Sequence, residues 1–156
     1  MTTNSSDGRT CPSCAKCCSF LLLLGRLCFA TLFFLSGVGK LIQFDVVSAY
    51  MGSKGMGMIP FFLYTAAVLE IMGAISFILG YKTRSIAMIL FLYLIPVTAV
   101  FHNFWNLEGA EAAAQMIEFL KNLGIFGGLL YIMSVGAGKF SIDHLCHCHC
   151  NHSTKE

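Results

Sequence analysis

Four long apolar runs, residues 20–39, 60–79, 86–101 and 116–136, decide most of what this chain of 156 residues can become. At a rise of about 1.5 Å per residue, a helix of roughly 20 apolar residues crosses a hydrocarbon layer of about 30 Å, and three of the runs reach that length. The third is shorter, but residues 83–85 before it and 102–105 after it extend it to both interfaces. A membrane β-barrel needs alternating apolar and polar positions, whereas residues 21–24, 33–35 and 89–92 are apolar without interruption. The prediction is an all-α, integral membrane four-helix bundle over residues 20–139, with an N-terminal tail (1–19) and a C-terminal tail (140–156).

Composition agrees. The chain is 56% hydrophobic and 12% charged, with a net charge of +2, about half the charged fraction of an ordinary soluble domain. That argues against both a soluble enzyme and a disordered chain. Lys and Arg are dispersed rather than gathered on a basic face, so nucleic acid is not an expected partner. The first run is read as a retained helix rather than a signal peptide. It exceeds a signal core in length, contains Arg26, and leads into Gly37, Gly39 and Lys40 instead of a small-residue cleavage site.

Basic residues set the expected orientation. Arg9, Lys16, Arg26, Lys82, Arg84 and Lys139 fall on the side holding both termini, against Lys40, Lys54 and Lys121 on the other, so both termini are expected in the cytoplasm. Residues 107–114, with Glu108 and Glu111 and no basic residue, read as a translocated loop. Residues 40–59 read as a short surface-lying helix followed by a glycine turn. Pro60 then opens the second spanning helix, and Pro96 is expected to kink the third.

Three constellations carry candidate chemistry. Glu70 lies in mid-span, where an ionised carboxylate costs several kcal/mol unless it is paired, protonated or wet. Ala66, Ala67, Gly73 and Ala74 share its face and admit close helix neighbours. Arg26 is near enough in depth to bridge to Glu70, with snorkelling to headgroups as the alternative. A helix-fastening glutamate and one active in proton or redox chemistry stand as equal readings.

At the opposite end, His102 and Asn103 close the third helix, while Gln115, Glu118 and Asn122 share a face of the fourth, with Lys40, Gln43 and Asp45 arriving nearby. This set suits a quinone head group or another small polar ligand. The plainer reading is an interfacial belt anchored by Trp105, Tyr50 and Phe104.

The tails are the third constellation. Cys11, Cys14, Cys17 and Cys18 precede the first helix, and His144, Cys146, His147, Cys148, His149, Cys150 and His152 follow the fourth. Thiolate and imidazole donors suit zinc or cuprous copper, and a reducing cytoplasm keeps thiols free for metal. A redox dithiol at Cys11 and Cys14, lipidated Cys17 and Cys18, or an incidental tail are the rivals. Cys28 is expected to be a small buried apolar residue, and Gly124, Gly127 and Gly128 a close-approach patch.

Several short motifs, taken in order, resemble the DoxX family. They are Gly25-Arg26, Ser36-Gly37-Val38-Gly39-Lys40, Leu69-Glu70 with Gly73, Leu79-Gly80-Tyr81-Lys82-Thr83-Arg84, and Phe101-His102-Asn103-Phe104-Trp105. The resemblance runs over residues 25–143. It implies a four-helix membrane bundle with both ends inside, in a bacterial-type inner (plasma) membrane. It marks Arg26, Lys40, Glu70, Arg84 and His102 as the polar family positions. The family takes its name from the small subunit of a thiosulfate:quinone oxidoreductase, while many members have no assigned reaction. The cysteine-rich tails have no counterpart in that pattern.

The leading expectation is a small subunit or accessory of a quinone-linked membrane oxidoreductase, not a self-sufficient enzyme, since no P-loop, dinucleotide fingerprint or haem-ligating histidine pair is present. The alternatives are a membrane-anchored zinc or copper buffer working through its tails, and a structural or assembly factor. The expected partners are the lipid bilayer and either a redox protein or a second copy of the chain.

Overall fold

The computed structural model describes residues 12–145, with side chains described from Ser19 onward. The order is α1 (Pro12–Ile42), α2 (Phe44–Ser53), α3 (Ile59–Leu79), α4 (Thr83–Phe101), a 3-10 turn (Phe104–Asn106) and α5 (Gly109–Val135). The described residues contain no strand. Four segments are long and apolar enough to cross a bilayer: Ser19–Ile42, Ile59–Leu79, Thr83–Asn106 and Gly109–Val135. The expected all-α four-span bundle is therefore the architecture.

Local chemistry explains the boundaries. Pro60 sits in the first turn of α3, where a missing N–H is harmless. Gly80 ends α3 with φ 65°, and its N–H and that of Tyr81 return to the Ser76 carbonyl at 2.8 and 3.1 Å. A Cβ at Gly80 would also stand 2.7 Å from the Arg26 guanidinium, so glycine serves both the turn and the packing. The next helix is capped from afar: the Asp143 carboxylate accepts from the backbone N–H of Lys82 (2.7 Å) and Thr83 (3.0 Å), at the start of α4.

Two boundaries differ from expectation. The surface helix and glycine turn appear as α2 and Gly55 (φ 74°). Residues 109–114, expected as loop, instead form the first turns of α5. Ala110, Ala112, Ala113 and Ala114 are strong helix formers, and Glu111 in the first turn suits the positive end of the helix dipole.

α1 lies along α3 and α4 along α5, and the two pairs join through α3 and α4. At their junction Ala30, Phe33, Ala74, Phe77, Leu90 and Leu129 form a compact apolar core. Phe29, Phe33 and Phe77 contact one another within it at centroid separations of 6.2–6.4 Å. Small residues allow the approach. A Cβ at Gly37 would stand 3.0 Å from the Ala67 carbonyl oxygen, one at Gly73 would meet Leu90, and one at Gly128 would overlap the Phe29 ring. Gly124 and Gly127 have open space instead, so only Gly128 acts as the expected contact glycine. Cys28 also departs from expectation, because it lies on the outward face of α1 rather than in the core.

Most large apolar side chains, among them Phe20, Leu35, Val68, Leu92 and Leu130, point outward, while Arg26 and Glu70 are 2% and 3% exposed. Water-soluble proteins distribute these residue types the opposite way, and a hydrocarbon surround accounts for the inversion.

Candidate functional site

Glu70 is the centre from which the site is built. Gly37 brings α1 against α3 at this level, and one turn further along α1 the Lys40 side chain reaches back to the carboxylate. Lys40 Nζ donates to Glu70 Oε1 (2.9 Å) and Oε2 (2.7 Å), and to Ser36 Oγ (2.7 Å) one turn earlier on its own helix. From α4, the Tyr93 hydroxyl donates to Glu70 Oε1 at 2.8 Å. Three helices are thus tied through one carboxylate. An ammonium shared by both oxygens, plus a phenolic donor, offsets the desolvation that an isolated glutamate would suffer there. Lys40 also sits in the last turn of α1, where a cation is favoured by the helix dipole.

The expected Arg26–Glu70 bridge does not form, and Arg26 does not snorkel. The antiparallel register that sets Arg26 beside Phe77 places Glu70 seven residues along α3, about 10 Å away. Arg26 instead spends its donors on carbonyls: Nε to Phe77 (3.1 Å), Nη1 to Ala137 (2.5 Å) and Nη2 to Phe140 (2.8 Å). It fastens the start of the chain's first span to the end of α3 and to the segment leaving α5.

Above Glu70, toward the end of the bundle away from the termini, lies a cavity of about 410 Å³. Its lining is mostly apolar, from residues such as Met51, Ala66, Pro96 and Val97, and its polar contributors include Lys40, Tyr93 and His102. Tyr93, Pro96, Val97 and Val100 recur at helical spacing, which explains why one face of α4 forms a wall. Pro96 removes an N–H from that wall and leaves the Leu92 carbonyl without its usual helical partner.

The roof is α2. Tyr50 donates its hydroxyl to the Phe101 carbonyl at 3.0 Å and packs on the Phe101 ring, and Lys54 Nζ reaches Asn103 Oδ1 at 3.5 Å. His102 Nδ1 lies 2.9 Å from Gln115 Oε1, and Asn122 donates to Thr98 Oγ1 at 3.0 Å, so α5 braces the same rim. Glu118, expected beside these amides, pairs with Lys121 at 2.6 Å.

Of the polar positions singled out in the sequence, Lys40, Glu70, His102 and Asn103 therefore gather around one chamber. Arg26 and Arg84 belong to the other end, where Arg84 Nη2 donates to the carbonyls of Ser134 (3.2 Å) and Val135 (3.4 Å). Tyr93 was missed by sequence reasoning, although it is a hydroxyl-bearing side chain in mid-span. No cluster suited to a metal ion occurs among the described residues. Cys11, Cys146, His147, Cys148, His149, Cys150 and His152 lie outside the described residues, Cys14, Cys17 and Cys18 fall where only the backbone is described, and His144 is exposed at the terminal end.

The chamber's volume lies within the usual range for small-molecule sites, its walls are mostly apolar, and Lys40, Tyr93 and His102 are among the few polar side chains on its lining.

A four-span bundle whose buried ion pair underlies an apolar chamber defines a multi-pass integral membrane protein with an internal polar site. The DoxX family matches residues 21–103, and the chain belongs to that family. Inner membrane protein YphA of Escherichia coli is 32% identical over 123 residues, covering 79% of this chain and 88% of that protein. Inner membrane protein YqjF of the same organism is 31% identical over 124 residues, covering 80% and 90%. The ER-derived vesicles protein ERV29 of Saccharomyces cerevisiae is 38% identical over 76 residues, which is 49% of this chain but only 24% of that longer protein. No solved structure matches the chain. This is thus a DoxX-family integral membrane protein of the inner-membrane kind that both bacterial relatives represent. The family match contains Lys40, Glu70, Tyr93 and His102 and stops before α5.

Proposed function

We propose that the protein binds a lipophilic ligand of the quinone class in the chamber above Glu70, and serves as a small subunit or accessory of a quinone-linked oxidoreductase in the inner membrane, with both tails in the cytoplasm. One observation carries this reading: Lys40 and Tyr93 line a mostly apolar cavity while both are hydrogen-bonded to the buried Glu70 carboxylate. A quinone held there would supply a two-electron, two-proton acceptor, with the electrons coming from a redox partner. The chain's own residues bind, orient and handle protons. The three Lys40 ammonium hydrogens and the Tyr93 hydroxyl hydrogen are given to Ser36 and Glu70, so a ring oxygen at the inner end of the chamber takes a hydrogen bond from Lys40 or Tyr93 in exchange for one of their bonds to Glu70. His102 faces the outer end, and its Gln115 contact fixes the ring.

In membranes from cells that depend on this protein, Glu70→Gln and His102→Ala are each expected to lower quinone reduction by about tenfold or more. Unchanged rates in both variants would contradict the proposal.

A second reading rests on topology. Because Arg26 bonds Ala137 and Phe140, the first span begins and α5 ends at the same end of the bundle, and the thiol-rich and imidazole-rich segments adjoin these two points in sequence. This favours a shared zinc or copper site in the tails. Elemental analysis of anaerobically purified protein is expected to find metal that is lost when Cys11, Cys14, Cys17 and Cys18 are replaced by serine and residues 146–156 are removed. Metal-free full-length protein would exclude it.

A further inference from the structure

At the end of the bundle that holds both termini, an open cleft of about 540 Å³ separates the start of α4 from the exit of α5. Lys82, Arg84 and Lys139 line it, beside the backbone of residues 136–138. We propose that this cleft binds the phosphate group of an anionic phospholipid.

The charge balance is the first reason. Ion pairs among the described residues are Lys40–Glu70 and Lys121–Glu118, so none of the three cleft cations is paired with a carboxylate. The cleft's own carboxylate, Asp143, has both oxygens committed to the backbone N–H groups of Lys82 and Thr83. The start of α4 is thereby already capped, and the attraction for an anion comes from side chains. Arg84 uses only Nη2, on two carbonyls at 3.2 and 3.4 Å, which leaves its remaining N–H groups for a phosphate oxygen.

Depth selects a lipid over a soluble anion. Arg84 is the second residue of its spanning helix and Val135 the last of α5, so the cleft lies where the apolar spans end, at headgroup level. Tyr81, exposed beside it with the Lys82 ammonium 5.6 Å from its ring, is placed as an interfacial aromatic. Met88 and Leu92 follow Arg84 at spacings of four and are both exposed, which gives an acyl chain an apolar track directly below the phosphate site.

The test uses full-length protein reconstituted with equimolar phosphatidylglycerol and phosphatidylcholine, then released into the gas phase so that retained lipids are counted by mass. Wild type is expected to retain phosphatidylglycerol preferentially. The preference is expected to fall about fivefold for each lysine lost in Lys82→Gln and Lys139→Gln. Neither side chain makes a hydrogen bond or ion pair among the described residues, so folding should be preserved. Lys121→Gln, at the opposite end, should leave the preference intact, and Lys82→Arg with Lys139→Arg should retain it. Thermal stabilisation by inorganic phosphate over chloride at equal ionic strength, without any lipid preference, would overturn the lipid assignment in favour of a soluble phosphate. Equal retention of both lipids with no phosphate effect would overturn the site itself.

Discussion

Lys40 and Glu70 show how unequal the two halves of a buried ion pair are. The Glu70 side chain is 4% exposed and that of Lys40 23%, so removing the lysine strands a carboxylate in the bundle, whereas removing the glutamate leaves an ammonium that can swing outward. Lys40→Met is therefore expected to destabilise the protein by about 3 kcal/mol, more than Glu70→Gln, and the double variant should recover part of the loss. Thermal unfolding in detergent measures all three; an equal loss in each single variant with no coupling would contradict the pairing. Arg26→Gln leaves the carbonyls of Ala137 and Phe140 without their donor and is expected to cost about 3 kcal/mol in the same assay. Glu70 was legible in the sequence because a carboxylate in mid-span has few affordable environments. Its partner was not legible, because depth along each helix was estimated from separate apolar runs, while the pairing depends on the register of α1 against α3. Tyr93 escaped notice for a related reason: a tyrosine in an apolar run reads as filling until a neighbouring helix supplies its acceptor.

At the scale of elements, the spans were readable from length and hydropathy, and their ends were readable where the signal was local, as at Pro60 and Gly80. Remote caps were not: Asp143 caps α4 from 60 residues away, a relation no local pattern carries. Asp143→Ala is expected to lower stability by about 1 kcal/mol through the lost cap, and an unchanged unfolding midpoint would contradict its role. The start of α5 was misjudged because acidic, alanine-rich residues 109–114 fit a loop by charge but a helix by propensity. The α1–α3 contact makes a sharper prediction. Gly37→Val must displace Ile71 and the Ala67 backbone, so it should separate the helices at the level of Glu70 and lower the unfolding temperature. The same substitution at Gly127, which faces open space, should be tolerated.

For the whole molecule, the distribution of polarity sets the division of labour. One end closes on Arg26, Gly80 and Asp143 and acts as a clasp; the other opens into the chamber roofed by α2. Buried polar groups thus gather at two levels inside an apolar shell, the Arg26 clasp and the Glu70 cluster beneath the chamber, and the proposed function assigns a lipophilic ligand to the second. The measurement that bears most directly on this is binding of a short-chain quinone to purified protein, wild type against Ala66→Phe. That substitution fills the chamber without touching Lys40, Glu70 or Tyr93 chemically. Saturable binding to wild type with one ligand per chain, abolished in Ala66→Phe while the unfolding temperature is maintained, is the predicted result; absence of saturable binding to wild type, or undiminished binding to the filled variant, would contradict the account.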